Sequence, residues 1–235
     1  MIKFFRKIRQ NFLLENKTGK YFKYAIGEII LVVIGILIAL QINSWNEGVK
    51  KSRWEQRFLK DLRNEIQGDF NQLNKAYTIQ LKKGKSCVTL LNLMKEATKS
   101  KKKKMDSIFT SIQAVNPTFF PTTGVYDAAL SAGKLEHIKN DSLKYLITNL
   151  YNHYYKRLVY NGEILDQVVE RVDWEKGKFY NSVDQKIISW KAAVDQEFYN
   201  QINFLKDQNK VYSNLVKSNL NQIKKVIAFI DKETK

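Results

Sequence analysis

The sequence predicts an all-α protein: an N-terminal transmembrane helix followed by an elongated antiparallel helical bundle with a small inserted unit. Three observations carry that expectation. Residues 25–42 are an apolar run of eighteen whose only charge is Glu28. At ~1.5 Å per residue the run is about 27 Å long, close to the hydrocarbon thickness of a bilayer. Beyond it, apolar residues recur every three or four positions, the helical period. Finally, the chain of 235 residues holds only two prolines, Pro117 and Pro121, and ten glycines. Few helices can be broken by so few breakers.

The first element is the span. No small-x-small cleavage site follows the apolar core 29–40, so the span is expected to remain as an uncleaved signal anchor. Tyr21, Phe22, Tyr24 and Trp45 suit the aromatic belts of the two interfaces. Residues 1–24 carry seven Lys/Arg against Glu15; residues 43–60 carry five, none of them before Lys50. That bias favours a cytoplasmic N-terminus and a periplasmic remainder. The expected organisation is a basic cytoplasmic segment (1–24), the span (25–42) and an exported helical domain (43–235), with an inserted unit at about 106–140.

Two features inside the span go beyond anchoring. Glu28 lies about one turn inside; it either snorkels to the interface or makes a helix contact. Gly35 and Ala39 form a small-x-x-x-small pair that lets two helices approach closely.

The exported part opens with an apolar stripe: Leu59, Leu62, Ile66, Phe70, Leu73, Tyr77 and Leu81, continued by Val88, Leu91 and Met94. The spacing is near that of a coiled-coil seam, with bends expected at Gly68 or Gly84. Such a stripe packs either on a second copy or on its own chain's last helix. Five lysines within 99–104 break the pattern and read as a solvated loop, or as a contact for an acidic partner. A short helix over 105–114 comes next. The segment 116–124 holds both prolines and reads as an ordered loop, with Thr122 or Thr123 capping a helix over 124–132. Gly133 suits a left-handed helix end, and residues 140–142 an N-cap. A second long helix follows from Leu143 to Trp174, weakly interrupted at Gly162. A turn is expected over 177–184 and a short helix near 187–194. The last helix runs over about 195–231, with Asn209 and Asn219 on its apolar stripe: either a buried Asn fixes register there, or the two mark an exposed end of the seam.

Charge and chemistry narrow the function classes. The net charge is +17, but residues 106–235 are nearly neutral, with seventeen basic against fifteen acidic residues. The excess lies near the span in sequence and points to anionic lipid at the basic flanks. No nucleic acid partner is expected, because that reading needs the opposite topology and a recognition motif. Cys87 is the only cysteine, which excludes an intrachain disulfide and cysteine zinc sites. His137 and His153 stand in no ligand spacing, and no nucleophile elbow, phosphate loop or dinucleotide fingerprint occurs. No catalytic residue, metal or cofactor is predicted, and enzymatic activity is not expected.

Two function classes remain. One is a membrane-anchored structural or interaction module that holds an envelope protein or forms a homo-oligomer. The other is a sensor-like bundle that binds a small ligand and signals through a membrane partner. In either, contact is expected at the inserted unit, through Phe119, Phe120, Thr122, Thr123, Tyr126 and Lys134. It interrupts otherwise plain bundle helices, and binding residues concentrate on loops held by rigid scaffolds. The opposing reading is that the phenylalanines plug the bundle and the threonines cap a helix. The cluster Tyr-Asn-His-Tyr-Tyr at 151–155 is expected in the core, with a pocket lining as its alternative.

Four blocks resemble an uncharacterised family of single-pass inner-membrane proteins of Bacteroidota, classed as a domain of unknown function. They are residues 1–10 (Met-Ile-Lys-Phe-Phe-Arg-Lys-Ile-Arg-Gln), 19–30 (Gly-Lys-Tyr-Phe-Lys-Tyr-Ala-Ile-Gly-Glu-Ile-Ile), 35–46 (Gly-Ile-Leu-Ile-Ala-Leu-Gln-Ile-Asn-Ser-Trp-Asn) and 123–136 (Thr-Gly-Val-Tyr-Asp-Ala-Ala-Leu-Ser-Ala-Gly-Lys-Leu-Glu). The resemblance implies an inner-membrane anchor and an exported helical domain, and it supplies no activity or cofactor. It also places Gly27 and Glu28 at the start of the span, where almost any apolar residue would anchor as well as Glu28.

Overall fold

The computed structural model describes residues 18–96, 98–112 and 116–234. Most of the basic segment 1–24 lies outside them. The chain divides into two compact units, Met1–Glu55 and Gln56–Lys235. The first helix, α1, is Thr18–Glu96 and contributes to both.

In the first unit α1 is a bare apolar helix. Ile29, Leu31, Leu37 and Leu40 are each more than half exposed. The helix is long and apolar enough there to cross a membrane, and none of its most apolar window is buried. A core helix of a soluble fold would have its apolar side covered. Glu28 is half-buried, and a Cβ built at Gly27 or Gly35 meets nothing within 4 Å.

The second unit is a helical bundle, as the periodicity requires. After α1 come a 3-10 turn at Lys99–Lys101, α2 (Lys102–Ile112), α3 (Gly124–Ser131), a second 3-10 turn at Lys134–His137 and α4 (Asp141–Asn149). A π-helical segment, Leu150–Tyr155, joins α4 to α5 (Lys156–Gly177). Two short antiparallel strands, β1 (Tyr180–Asn181) and β2 (Lys186–Ile187), lead through α6 (Trp190–Ala193) to α7 (Gln196–Glu233).

Several local expectations hold for stated reasons. Asn140 caps α4 by accepting the Leu143 N–H at 3.0 Å. The last helix begins where expected, and there Asp195, not named as a cap from the sequence, accepts the Glu197 N–H at 2.9 Å. Gly133 follows α3 in the left-handed region, φ +63°. Asn209 and Asn219 are both buried.

Others are corrected. The lysine block is not a loop: it forms the first 3-10 turn and the start of α2. Its charge is partly met, since Lys101 pairs with Glu96 and Lys102 lies 3.7 Å from Asp106. Gly162 does not interrupt the second long helix. It is a close approach, where an added Cβ would sit 3.3 Å from Thr118 Cβ and 3.4 Å from the Tyr212 ring. The irregularity falls earlier, at the π segment, whose wide turn turns Leu150, Tyr151 and Tyr155 all inward. The turn after α5 is a small hairpin. Asn181 Oδ1 accepts the Val183 and Asp184 N–H groups, and Gln185 takes φ +54°.

The α1 stripe follows the expected register up to Leu73 and again at Leu91 and Met94. Leu59, Leu62, Ile66 and Leu73 are buried in their own chain. Between Leu73 and Leu91 the buried positions are Ala76, Gln80, Lys83, Cys87 and Leu90, while Leu81 and Val88 are exposed; Leu91, Leu93 and Met94 are buried beyond. Cys87 is thus a core residue, and burial pushes its thiol up to about 12. Gly84 is another close approach, with Asn209 Oδ1 only 2.9 Å from a built Cβ.

Candidate functional site

Residues 116–125 cross the bundle without helical hydrogen bonds of their own, so their backbone donors must find side chains. The neighbouring helices supply them. The Phe119 N–H donates to the Tyr212 hydroxyl (2.9 Å), the Phe120 N–H to Gln72 Oε1 (3.3 Å) and the Thr122 N–H to Asp69 Oδ1 (3.0 Å). The Val125 N–H at the start of α3 donates to Glu65 Oε2 at 2.9 Å. The α3 terminus is therefore met by a carboxylate from α1. Thr123 stands at the N-cap position but its side chain makes no cap bond, and Thr122 donates its hydroxyl to Asp69 Oδ1 at 3.1 Å. The expected threonine cap is corrected on that ground: the acceptor comes from another helix.

Deeper in the bundle the same segment is held by a polar network. Gln80 Nε2 and Lys83 Nζ both donate to Asn116 Oδ1 at 2.9 Å. Asn116 Nδ2 donates to Asp166 Oδ1 (2.6 Å), and the Thr118 hydroxyl to Asp166 Oδ2 (2.9 Å). Asn209 Nδ2 donates to Gln80 Oε1 at 2.6 Å, which joins α7 to α1 through the core. Burial holds the Lys83 ammonium below the usual lysine range, against the pull of Cys87, Asp173 and Asp166. Such a network is stabilising only while each member keeps its partner.

Beside this segment lies a cleft of about 480 Å³. Pro121, Thr123, Tyr126, Tyr151, Tyr155 and Tyr160 line it. Asn152, Lys156, Asp127 and Glu163 supply its polar groups. The wall is rigid. Tyr126 and Tyr151 stack with centroids 4.1 Å apart and planes within 2°, and Asn152 Nδ2 donates to the Tyr126 hydroxyl at 3.1 Å. Tyr151 donates its hydroxyl to Glu65 Oε1 at 2.9 Å. Tyr155 meets both Tyr151 and Phe119 edge-on, at 5.1 and 5.0 Å.

Glu65 thus ties the α3 terminus and the π segment to one point on α1. Asp69, one turn further on, is almost fully buried. Burial holds its carboxyl above the usual carboxylate range; the Thr122 N–H, the Tyr155 hydroxyl and the Thr122 hydroxyl oppose that, and nearby Glu65 adds to it. Asp69 Oδ2 and the Tyr155 hydroxyl lie near each other but outside hydrogen-bond geometry. Burial, with the carboxylates alongside, pushes the Tyr151 and Tyr155 phenols far up, so both remain donors.

The six residues expected at a contact site separate. Thr123 and Tyr126 line the cleft. Phe119 is buried as a plug between Tyr155 and the α7 tyrosine, and Thr122 is spent on Asp69. Phe120 and Lys134 are exposed and do not line the cleft. Sequence reading missed Glu65, Asp69, Gln80 and Lys83, because their positions fall beside the apolar stripe and carry no motif. It also missed Tyr160 and Glu163. The aromatic cluster at 151–155 is both core and pocket wall: Tyr151 and Tyr155 are buried, while His153 is exposed. Among the described residues no three His, Cys, Asp or Glu side chains gather as metal ligands.

Residues 28–210 match the model of a family of unknown function, DUF6090. The chain belongs to that family. The DUF6090 match starts inside the apolar helix and takes in Glu65, Asp69, the crossing segment and every residue of the cleft. No curated protein and no solved structure matches the chain.

Proposed function

We propose that the chain is a single-pass membrane protein whose exported helical unit works by binding, not by catalysis. The observation that carries this is the contrast within α1. Its segment over 25–42 is apolar and bare, whereas from Gln56 onward the chain builds a complete core of its own. A bilayer supplies the missing cover. The Lys/Arg bias puts the N-terminus in the cytoplasm and the unit in the periplasm, anchored in the inner membrane. Glu65 and Asp69, behind the cleft wall, are occupied by the Val125 and Thr122 amides and the Tyr151 hydroxyl, while Asp127 and Glu163 are the carboxylates that line the cleft. The unit then acts as an interaction module that holds an envelope partner at the membrane. Close packing at Gly35 and Ala39, with Glu28 nearby, would pair two copies in the bilayer.

A reporter fused after Lys235 tests the topology. Alkaline phosphatase, which needs periplasmic oxidation, should be active there, and a strictly cytoplasmic fluorescent reporter should be dark. The reverse pattern would overturn the proposal.

The cleft favours a second reading, a small-ligand sensor. Its ~480 Å³ falls in the range of ligand pockets, and a π-helical segment, often found at functional sites, forms one wall. Native mass spectrometry of the chain released from membranes should then show a bound small molecule, lost in Leu130→Arg. Identical mass spectra for the two proteins would dismiss this reading.

A further inference from the structure

We propose that a second surface, the groove between α1 and α7, binds an acidic amphipathic α-helix of another protein. The groove encloses about 850 Å³ and lies away from the cleft, sharing none of its residues. Its α1 wall is Tyr77, Leu81, Gly84 and Val88, at steps of four, three and four. That is the seam spacing that receives another helix. Leu81 and Val88 are 43% and 47% exposed, although the other face of α1 is packed into the core at Gln80, Lys83 and Cys87. The seam extends ~17 Å along α1, about three turns.

Gly84 explains why the groove is open but shallow. It admits the Asn209 side chain of α7 against the α1 backbone, so a bridge of contact floors the groove instead of filling it. On the α7 wall the Ser213 hydroxyl is buried at 6% residue exposure and has no partner. Its oxygen is closed to the surface, so the contacts an incoming helix makes are with the apolar wall and the lysine rim.

The rim decides the partner's charge. Lys85, Lys206 and Lys210 border the groove against one acid, Asp207, which is already 3.3 Å from Lys206. A second copy of this chain would bring the same three lysines to meet these, in a protein whose net charge is +17. Like charges facing each other reject that pairing, whereas Glu and Asp flanking an apolar seam satisfy it. The chemistry does not depend on which side of the membrane the unit occupies, so it stands or falls apart from the topology above.

The test uses the full chain in nanodiscs of zwitterionic lipid. The probe is a fluorescent synthetic helix of about 18 residues, with Leu at seam spacing and Glu on both flanks; its control carries Lys in place of Glu. Anisotropy should show saturable binding of the Glu helix and about tenfold weaker binding of the Lys helix. Leu81→Asp with Val88→Asp should weaken the Glu helix about tenfold or more. Lys85→Glu with Lys210→Glu, both on the surface, should reverse the preference between the probes, and it decides the matter if the first variant fails to fold. The proposal is overturned by equal binding of the two probes, by binding that ignores the charge reversal, or by a dimer in sedimentation that Lys85→Glu with Lys210→Glu strengthens and Leu81→Asp abolishes.

Discussion

Two neighbouring stretches of α1 have opposite logic. Between Leu59 and Leu73 the apolar residues point inward, and the core is leucine and isoleucine with Asp69 as the one buried charged group. Between Ala76 and Leu90 the inward positions include Gln80 and Lys83, while Leu81 and Val88 face solvent. Residue hydrophobicity alone would orient the second stretch the other way. The difference lies in what each stretch packs against. The second faces residues 116–118, an extended segment whose Asn116 side-chain oxygen and Pro117 backbone carbonyl need donors. Burying those groups without partners costs several kcal/mol in total. A polar face on α1 removes that cost, and the displaced apolar residues are left to line a groove.

The largest expected effect separates the two phenylalanines of the crossing segment. Phe119→Ala should lower stability by ~3–5 kcal/mol, as for a buried aromatic. Phe120, 72% exposed, should change it by only about 0.5 kcal/mol when made Ala. Thermal melts of the full chain in detergent read both. Equal losses would mean the segment does not pass through the bundle as described.

The next effect sharpens the polar half. Asn116→Ala removes the acceptor of Gln80 and Lys83 and the donor to Asp166 at once. A loss of ~1–3 kcal/mol is expected by denaturant titration. An unchanged midpoint would show that water replaces Asn116 freely and that the network holds nothing.

Asp69 belongs to the apolar half yet serves the same segment, and its effect should depend on pH. Its folded pKa is raised by burial. The folded state therefore binds the proton more tightly than the unfolded state. The stability linked to that proton is fully present below the ordinary carboxylate pKa and is lost as pH rises through the folded value. In wild type this part should grow as pH falls toward the carboxylate range. Asp69→Asn keeps an acceptor for Thr122 and removes the titration. Wild type should gain stability relative to the variant on acidification; a pH-independent difference would contradict the assignment. The smallest effect is at the groove, where Leu81→Asn should alter the melt by about 0.5 kcal/mol or less.

The same comparison shows what could be read in the sequence. The all-α class, the bare apolar helix, the cap at Asn140, the start of the last helix near Asp195 and the left-handed Gly133 depend on local rules, and they were legible. So was the inward stripe up to Leu73, where period and burial agree. Between Leu73 and Leu91 the apolar residues Tyr77, Leu81 and Val88 still keep helical spacing, so periodicity alone continues the stripe along the wrong face there, before it rejoins the core at Leu91 and Met94. Nothing local marks Gln80 or Lys83 as buried; only the position of Asn116 does. The threonine caps failed for a similar reason, because a carboxylate sixty residues earlier, Glu65, reaches the α3 terminus. The cleft was half legible. Thr123 and Tyr126 were singled out from the inserted unit, but Tyr160 and Glu163 sit on an ordinary helical surface. The π segment that turns Tyr151 and Tyr155 inward leaves no pattern in composition.

The central claim is that side chains of α1 and α7 hold the backbone of the crossing segment. Hydrogen exchange at the amides of Phe119, Thr122 and Val125, in the full chain in nanodiscs, measures it directly. Those amides donate to the Tyr212 hydroxyl, Asp69 and Glu65. They should be protected nearly as well as the core of α7, and Asp69→Ala should speed exchange at Thr122 most. Exchange at the rate of an open loop in the wild type, unaffected by Asp69→Ala, would contradict the account.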